Sequence, residues 1–283
     1  MQIVISGILL GGIYALLGVG MTMIFGIVKL TNLAHGEFVI IGSYLSTILA
    51  KAMGVSPIWS LIITVPLLFV VGIVLQYGLI NRVMLKGSEP ALLVTFGLSI
   101  ILQDAMLLLF SADAQHANIS FIKNIFGREN ISLPGGLYVS ILDVLILIIS
   151  LVTIGVLTIF LRKTYLGKSI RATSDDTQAA SLMGVSVKKT YAIAMGIAMA
   201  TAAIAGMCVA MRWTFYPSSG GSYLLIAFGV VVIGGMGSIP GTLVAGLIFG
   251  IAQVAGGANY GMLISYIILI AMLAIRPQGL FSK

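Results

Sequence analysis

The sequence predicts an all-α polytopic membrane protein of eight or nine spans, some discontinuous, with one long basic loop. Three observations carry that reading. Of 283 residues, 59% are hydrophobic and 8% are charged, whereas a soluble domain carries about 25% charged side chains. The apolar residues gather into nine runs bounded by charged or turn residues. The 15 Lys and Arg against 8 Asp and Glu cluster in a few connections, as basic residues do on the cytoplasmic face of a membrane protein. The balance of +7 therefore points to a bilayer and away from nucleic acid. One transmembrane domain over 1–283 is expected, with 162–190 as its cytoplasmic loop.

In chain order the runs are Ile3–Val28, Phe38–Ala50, Ile58–Ile80, Ala91–Phe110, Tyr138–Leu161, Tyr191–Met211, Tyr223–Ile239, Thr242–Ala255 and Met262–Ile275. The first is a retained span, because Met1-Gln2 offers no basic leader region and the run is too long for a cleavable signal. Four runs lie at or below the short end of the ~17–25 residues that a straight crossing needs. They flank a polar break at Thr31–Glu37 and a glycine-rich stretch at Gly234–Gly241, which together suggest a weakly duplicated hairpin. Nine alternating crossings put three basic connections on one side. These are Asn81–Pro90 with Arg82 and Lys86, Arg162–Thr190 with Arg162, Lys163, Lys168, Arg171, Lys188 and Lys189, and the tail with Arg276 and Lys283. That side is expected to be the cytoplasm, which leaves the N-terminus outside. The 111–137 connection balances Lys123 and Arg128 against Asp113 and Glu129.

Several short matches carry no chemistry. Leu166-Gly167-Lys168-Ser169 resembles the end of a phosphate-binding loop, but Arg162 stands where its first glycine belongs. Gly7/Gly11 and Gly246/Gly250 are pairs that let helix backbones approach closely. His35 and His116 sit on separate segments, Cys208 is the single cysteine, and no metal or catalytic constellation is expected. Asn118 and Asn130 head tripeptides of the glycosylation pattern, which arises often by chance.

Charge at membrane depth marks cavities or partners. The candidates are Glu37, Asp104 and Asp143. His35, Gly36 and Glu37 open a helix after the first break, where an acid also suits the helix N-terminus. Gln103 and Asp104 lie about two-thirds along their run. Broken helices can hold a polar solute on backbone groups, so Gly234, Gly235 and Gly237 join the candidate pathway. Sparse charge argues against ion coupling through membrane acids.

The polar stretch Tyr165–Gly184 has the composition of one or two short exposed helices. Asp175 and Asp176 suit the first turn of the second helix, with Thr173 or Ser174 as its cap and Gly184 as its stop. Ala179, Ala180 and Leu182 form a small apolar patch among charges, the mark of a docking surface.

The spacing Gln178-Ala179-Ala180-x-x-x-Gly184 resembles the E-A-A-x-x-x-G loop of ABC-importer permeases. Leu166-Gly167-x-x-x-Arg171-Ala172, the acidic pair and Met183-Gly184 are similar to the branched-chain amino-acid permeases of the LivH/LivM type. So are Gly12–Leu16, Gly20–Gly26, Asn32–Phe38, the Gly234–Gly241 block with Gly246, and Arg276–Phe281. The resemblance spans residues 7–281, with Gln178 replacing the usual Glu. It implies a non-catalytic permease subunit of an importer for branched-chain amino acids or a similar small polar solute, in a bacterial or archaeal cytoplasmic membrane. Its implied partners are a second homologous permease, two ATPases that bind ATP and Mg, an external solute-binding protein and membrane lipid. Gly167, Arg171, Ala172, Asp175, Asp176, Ala179, Ala180 and Gly184 would couple the chain to its motor. The rival reading is an ion-coupled secondary carrier of a small amino acid or amide.

Overall fold

The computed structural model describes residues 1–28, 31–84, 88–133, 137–276 and 278–281. Lys86, Pro277 and Lys283, which entered the reading of charge and tail, lie outside them. Without water to satisfy backbone groups, a chain in lipid closes its hydrogen bonds within helices. Among the described residues, eight helices are long and apolar enough to cross a membrane, and a ninth, Ile239–Ala255, is shorter. In chain order the helices are α1 (Gln2–Val28), α2 (His35–Met53), α3 (Leu61–Leu75), a short α4 (Asn81–Met84), α5 (Ser88–Phe110), a surface α6 (Ser120–Phe126) and α7 (Ile141–Lys163). Two loop helices follow, α8 (Tyr165–Asp175) and α9 (Thr177–Leu182), then α10 (Val187–Arg212), α11 (Gly220–Gly234), α12 (Ile239–Ala255) and α13 (Gly257–Ile275). A 3-10 turn at Pro57–Ser60 leads into α3, and a π turn at Gln76–Ile80 joins α3 to α4. Strands β1 (Asn130–Leu133) and β2 (Leu137–Ser140) pair antiparallel, Asn130 opposite Ser140. Tyr138 is therefore in a strand, and the span read from it begins at Ile141.

The bundle has two ends. At the hairpin end, the Gln2 amide donates to the Tyr138 carbonyl at 2.7 Å and Lys51 Nζ reaches Gln115 Oε1 at 3.2 Å. At the loop end, the Ser174 hydroxyl donates to the Gly26 carbonyl, and the amides of Leu280 and Phe281 close on the carbonyls of Ile233 and Gly234. The first residues and the described tail thus lie at opposite ends, as an odd number of passes requires.

Two units of opposite direction build the core. In the first, α1 runs to the loop end, the chain turns back through Thr31–Ala34, and α2 starts inside the bundle. In the second, α10 runs to the hairpin end, the chain turns back through 213–219, and α11 starts inside the bundle. Helix α3 packs on α10 as α12 packs on α1, and both crossings use glycine. A Cβ at Gly246 would lie 2.6 Å from Ala15 N, and one at Gly72 would lie 2.9 Å from Gly196 Cα. The sequence repeats at matching points: Met53-Gly54-Val55-Ser56-Pro57 follows α2 and Met236-Gly237-Ser238-Ile239-Pro240 follows α11. Gly54 and Gly237 both take positive φ, +63° and +90°. The duplication expected between Thr31–Glu37 and Gly234–Gly241 is therefore differently framed. The counterpart of the first break is 213–219, and Gly234–Gly241 corresponds to the turn before Pro57.

Candidate functional site

The loop between α7 and α10 is a pair of capped helices. Thr164 Oγ1 accepts from Gly167 N at 3.0 Å and starts α8. Gly167 is buried where a Cβ would overlap the Phe160 carbonyl, so the α7–α8 corner needs glycine. Ile170 and Thr173 face inward. Asp176, not Thr173 or Ser174, caps α9, its Oδ1 accepting from Gln178 N at 2.8 Å and Ala179 N at 2.9 Å. Thr173 instead donates to the Ser169 carbonyl, and Asp175 closes α8. Gly184, at φ +83°, ends α9 as expected. Val185 N returns to the Ala180 carbonyl and Gly184 N to the Ser181 carbonyl, both at 3.0 Å, which satisfies two orphan carbonyls at once.

Exposure divides the sequence candidates into two kinds. Arg171, Ala172, Asp175 and Ala179 are exposed and free to meet a partner. Gly167, Asp176 and Gly184 shape the loop. Ala180 is buried at 4%, so it belongs to the packing and not to the outward patch. The sequence reading gave Tyr165 no role of its own, and it used Leu166 and Met183 only in the family spacing. Tyr165, Leu182 and Met183 are 80–89% exposed, apolar side chains on a basic loop that the described residues leave uncovered. Beside it lies a groove of about 650 Å³ lined by Asn81, Met84, Gln178, Leu182 and Tyr191. The loop also touches the bundle, through Ser174 to the end of α1 and through α9 to the start of α10.

The second candidate region lies inside the bundle. The Asn32 side chain accepts from Ala34 N at 3.1 Å and Thr95 Oγ1 accepts from Leu33 N at 3.3 Å. Non-helical backbone survives at this depth because protein covers it. His35 Nε2 meets the Leu17 carbonyl at 3.2 Å, and Ser99 Oγ donates to Glu37 Oε1 at 3.4 Å. Gly36 packs on Gly220, so the starts of α2 and α11 touch. His35, Gly36 and Glu37 are thus brought together. Asp104 is not with them. It is exposed on the outward face of α5, in line with Leu93, Phe96, Ile100 and Leu108, while Gln103 beside it is half-buried. Gly234, Gly235 and Gly237 form a third group at the loop end, where the Cα of Gly237 would sit 2.6 Å from a Cβ on Gly26. Gly234 and Gly235 pack just as closely on Gly241 and Gly279.

Towards the hairpin end the structure adds a cluster that the sequence did not reveal. Tyr14 donates to Gln253 and packs against Trp213 and Phe249. Tyr223 and Tyr266 extend the aromatic wall. Arg212 lies 5.3 Å from the Trp213 ring and pairs with Asp143, linking α10 to α7. Asp143 alone was visible as a membrane charge; its partner lies 69 residues on. Among the described residues no three His, Cys, Asp or Glu side chains come together as a metal would require.

The family described as branched-chain amino acid transport system / permease component matches residues 3–275. The chain is 29% identical to the high-affinity branched-chain amino acid transport system permease protein BraD of Pseudomonas aeruginosa and 32% identical to LivH of Escherichia coli. Each of these alignments covers 100% of this chain and 96% of the relative. LivM of Escherichia coli is 26% identical over 95% of this chain and 67% of its own length. No solved structure matches the chain.

Proposed function

The chain belongs to the family of branched-chain amino acid transport system permease components, and on that premise we propose how it works. It is the transmembrane permease subunit of an ABC importer for branched-chain amino acids or a similar small polar solute. It pairs with a second homologous permease, two ATPase subunits that bind ATP and Mg, and an external binding protein. The observation that carries this reading is the α8–α9 loop. Its exposed apolar side chains, Tyr165, Leu182 and Met183, and its free charges, Arg171 and Asp175, lie on a helix pair held rigid by caps at both ends. A solvated linker would need neither the caps nor the apolar exposure.

The loop end faces the cytoplasm. Arg82, Arg162, Lys163, Lys168, Arg171, Lys188, Lys189 and Arg276 lie there, against Lys51, Lys123, Arg128 and Arg212 at the hairpin end. That asymmetry follows the distribution of basic residues across bilayers. The binding protein then docks at the hairpin end.

Nucleotide can drive the permease only by binding one of its states better than the other. ATP binding closes the motor and moves the α8–α9 pair. Ser174 passes that movement to the end of α1, and α9 passes it to α10. These helices begin the two opposed units, so their rocking exposes the interior to one face and then the other. Solute passes along the outward face of α5, where Asp104 needs a water-filled path or a polar partner, since lipid would leave its charge unsatisfied. The second permease covers the rest of that face.

The experiment is uptake into vesicles that hold the chain with the ATPases and permease found beside it, the binding protein being supplied outside. ATP-dependent uptake of leucine, isoleucine or valine is expected. Uptake by this chain alone, driven by an ion gradient without ATP, would overturn the assignment.

A further inference from the structure

Helices α2 and α5 meet along a seam. Helical spacing puts Glu37, Ile41 and Tyr44 on one face of α2, and Ser99, Leu102 and Phe110 on one face of α5. The seam is pinned at two points. Ser99 Oγ donates to Glu37 Oε1 at 3.4 Å, and the Tyr44 ring stacks on Phe110 with centroids 4.3 Å apart. Otherwise α5 is lightly held: 11% of its apolar stretch is buried, against 72% for α1 and 78% for α10.

Two buried oxygens on this seam lack partners. Glu37 is 2% exposed, with its carboxylate seated over Gly220, where any Cβ would overlap it. Its Oε2 accepts no hydrogen bond from the described residues, and no Lys or Arg among them pairs with it. The buried Tyr44 hydroxyl has no partner there either. Buried polar groups are as a rule satisfied, and a carboxylate in a dry interior is costly unless a cation meets it. Proteins carry such a cost at the sites where they work. The missing donor is then one that arrives with a ligand.

We infer that Glu37 Oε2 receives the ammonium group of the solute, whose apolar side chain lies between Ile41 and Leu102. The inference rests on reading the chain as a permease for branched-chain amino acids, and it gives that cargo a selecting residue inside the membrane. When the two units rock, α5 moves off α2 and opens the seam to the path along α5. An ammonium brings both the charge and the N–H donors that Oε2 lacks. A solute of the same shape without it leaves the carboxylate unneutralised.

The first measurement needs no variant. The full chain in detergent is unfolded by heat with a thiol-reactive fluorogenic dye, and Cys208, the single cysteine and buried, reports the transition. Leucine and isoamylamine in excess should raise the midpoint, and isocaproate, the leucine skeleton without its ammonium, should not. Glu37→Gln should respond to none of the three. It should still unfold at or above the native midpoint, because a neutral amide costs less to bury than an unpaired carboxylate. In vesicles holding the assembled transporter, its leucine uptake at limiting solute should fall by about 10- to 100-fold. Glu37→Asp keeps the charge and should recover part of both the uptake and the amine response. A purely structural Glu37 would instead give a Gln variant of lowered midpoint, and a native chain that treats the three probes alike. Either result would overturn the inference, as would a Gln variant that still answers to the amines. Native uptake driven by ATP without an amine response would overturn the site alone. An amine response lost in the Gln variant, in a chain whose assembly takes up no amino acid with ATP, would overturn the importer reading and leave the amine site standing.

Discussion

Gly184 holds α9 in place at φ +83°, with nothing within 4 Å of the position a Cβ would take. Replacing it with Val meets no steric wall, so the whole cost is backbone strain. A β-branched residue in the left-handed region costs about 1–3 kcal/mol. Helix α9 has six residues, too few to persist by itself in water. It stands on the Asp176 cap, the two bonds closed by Gly184 and the burial of Ala180. Removing about 2 kcal/mol shifts its local equilibrium by about 30-fold toward the open form. The bundle stays folded because the strain is confined to the loop. Uptake by the assembled transporter should therefore collapse while the amount of chain in the membrane and the Cys208 unfolding midpoint stay unchanged. Ala should be intermediate, and Asn, which tolerates positive φ, should remain near the native rate. Equal uptake for Val and Asn would refute the reasoning, since the two differ in backbone preference while the space around the site is open to both.

Further outcomes follow from single contacts. Asp176→Ala removes both capping bonds and should cost about 1 kcal/mol of loop stability, seen as faster proteolysis between 176 and 184; Asp176→Ser should restore protection. Gly246→Ala places a Cβ 2.6 Å from Ala15 N and should lower the unfolding midpoint by several degrees, as overpacking against backbone costs about 1–3 kcal/mol or more. Gly155→Ala, where a Cβ meets nothing within 4 Å, should instead stabilise α7 by about 0.5–1 kcal/mol. Asp143→Ala leaves Arg212 unpaired at membrane depth and should destabilise strongly. Asp143→Ala combined with Arg212→Ala should fall short of the sum by about 0.5–3 kcal/mol in a double-mutant cycle on unfolding midpoints.

Much of the fold can be read from the chain because lipid forces simple patterns. Runs such as Ile58–Ile80 and Tyr191–Met211 lie inside single spans, their charged or polar flanks marking where lipid ends. Boundaries fail where polar residues enter a span for their own reasons. The second run begins at Phe38 by its apolar pattern, yet the helix begins at His35, because His35 and Glu37 are buried by other helices. The turn back through 213–219 is hidden for the opposite reason. Trp213, Phe215 and Tyr216 look like the edge of a span, and only Pro217 and Gly220-Gly221 hint at a break. The loop helices were legible from the polar composition of the stretch and the Gly184 stop, but the caps, Thr164 and Asp176, and the face that looks outward were not. Ala180 and Leu182 are both apolar and two residues apart, and only the packing of α9 on α10 turns one in and the other out. The Asp143–Arg212 pair and the contact of Glu37 with Gly220 join residues far apart in sequence, for which local pattern carries no signal.

The central claim is that α8 and α9 are gripped by a separate motor. The most direct measurement places a photo-crosslinking amino acid at Leu182, the exposed tip of α9, in the assembled transporter. Irradiation should yield a covalent product with an ATPase subunit, weakened when Gly184 carries Val. Products with lipid and solvent alone, in an assembly that transports at the native rate, would contradict it.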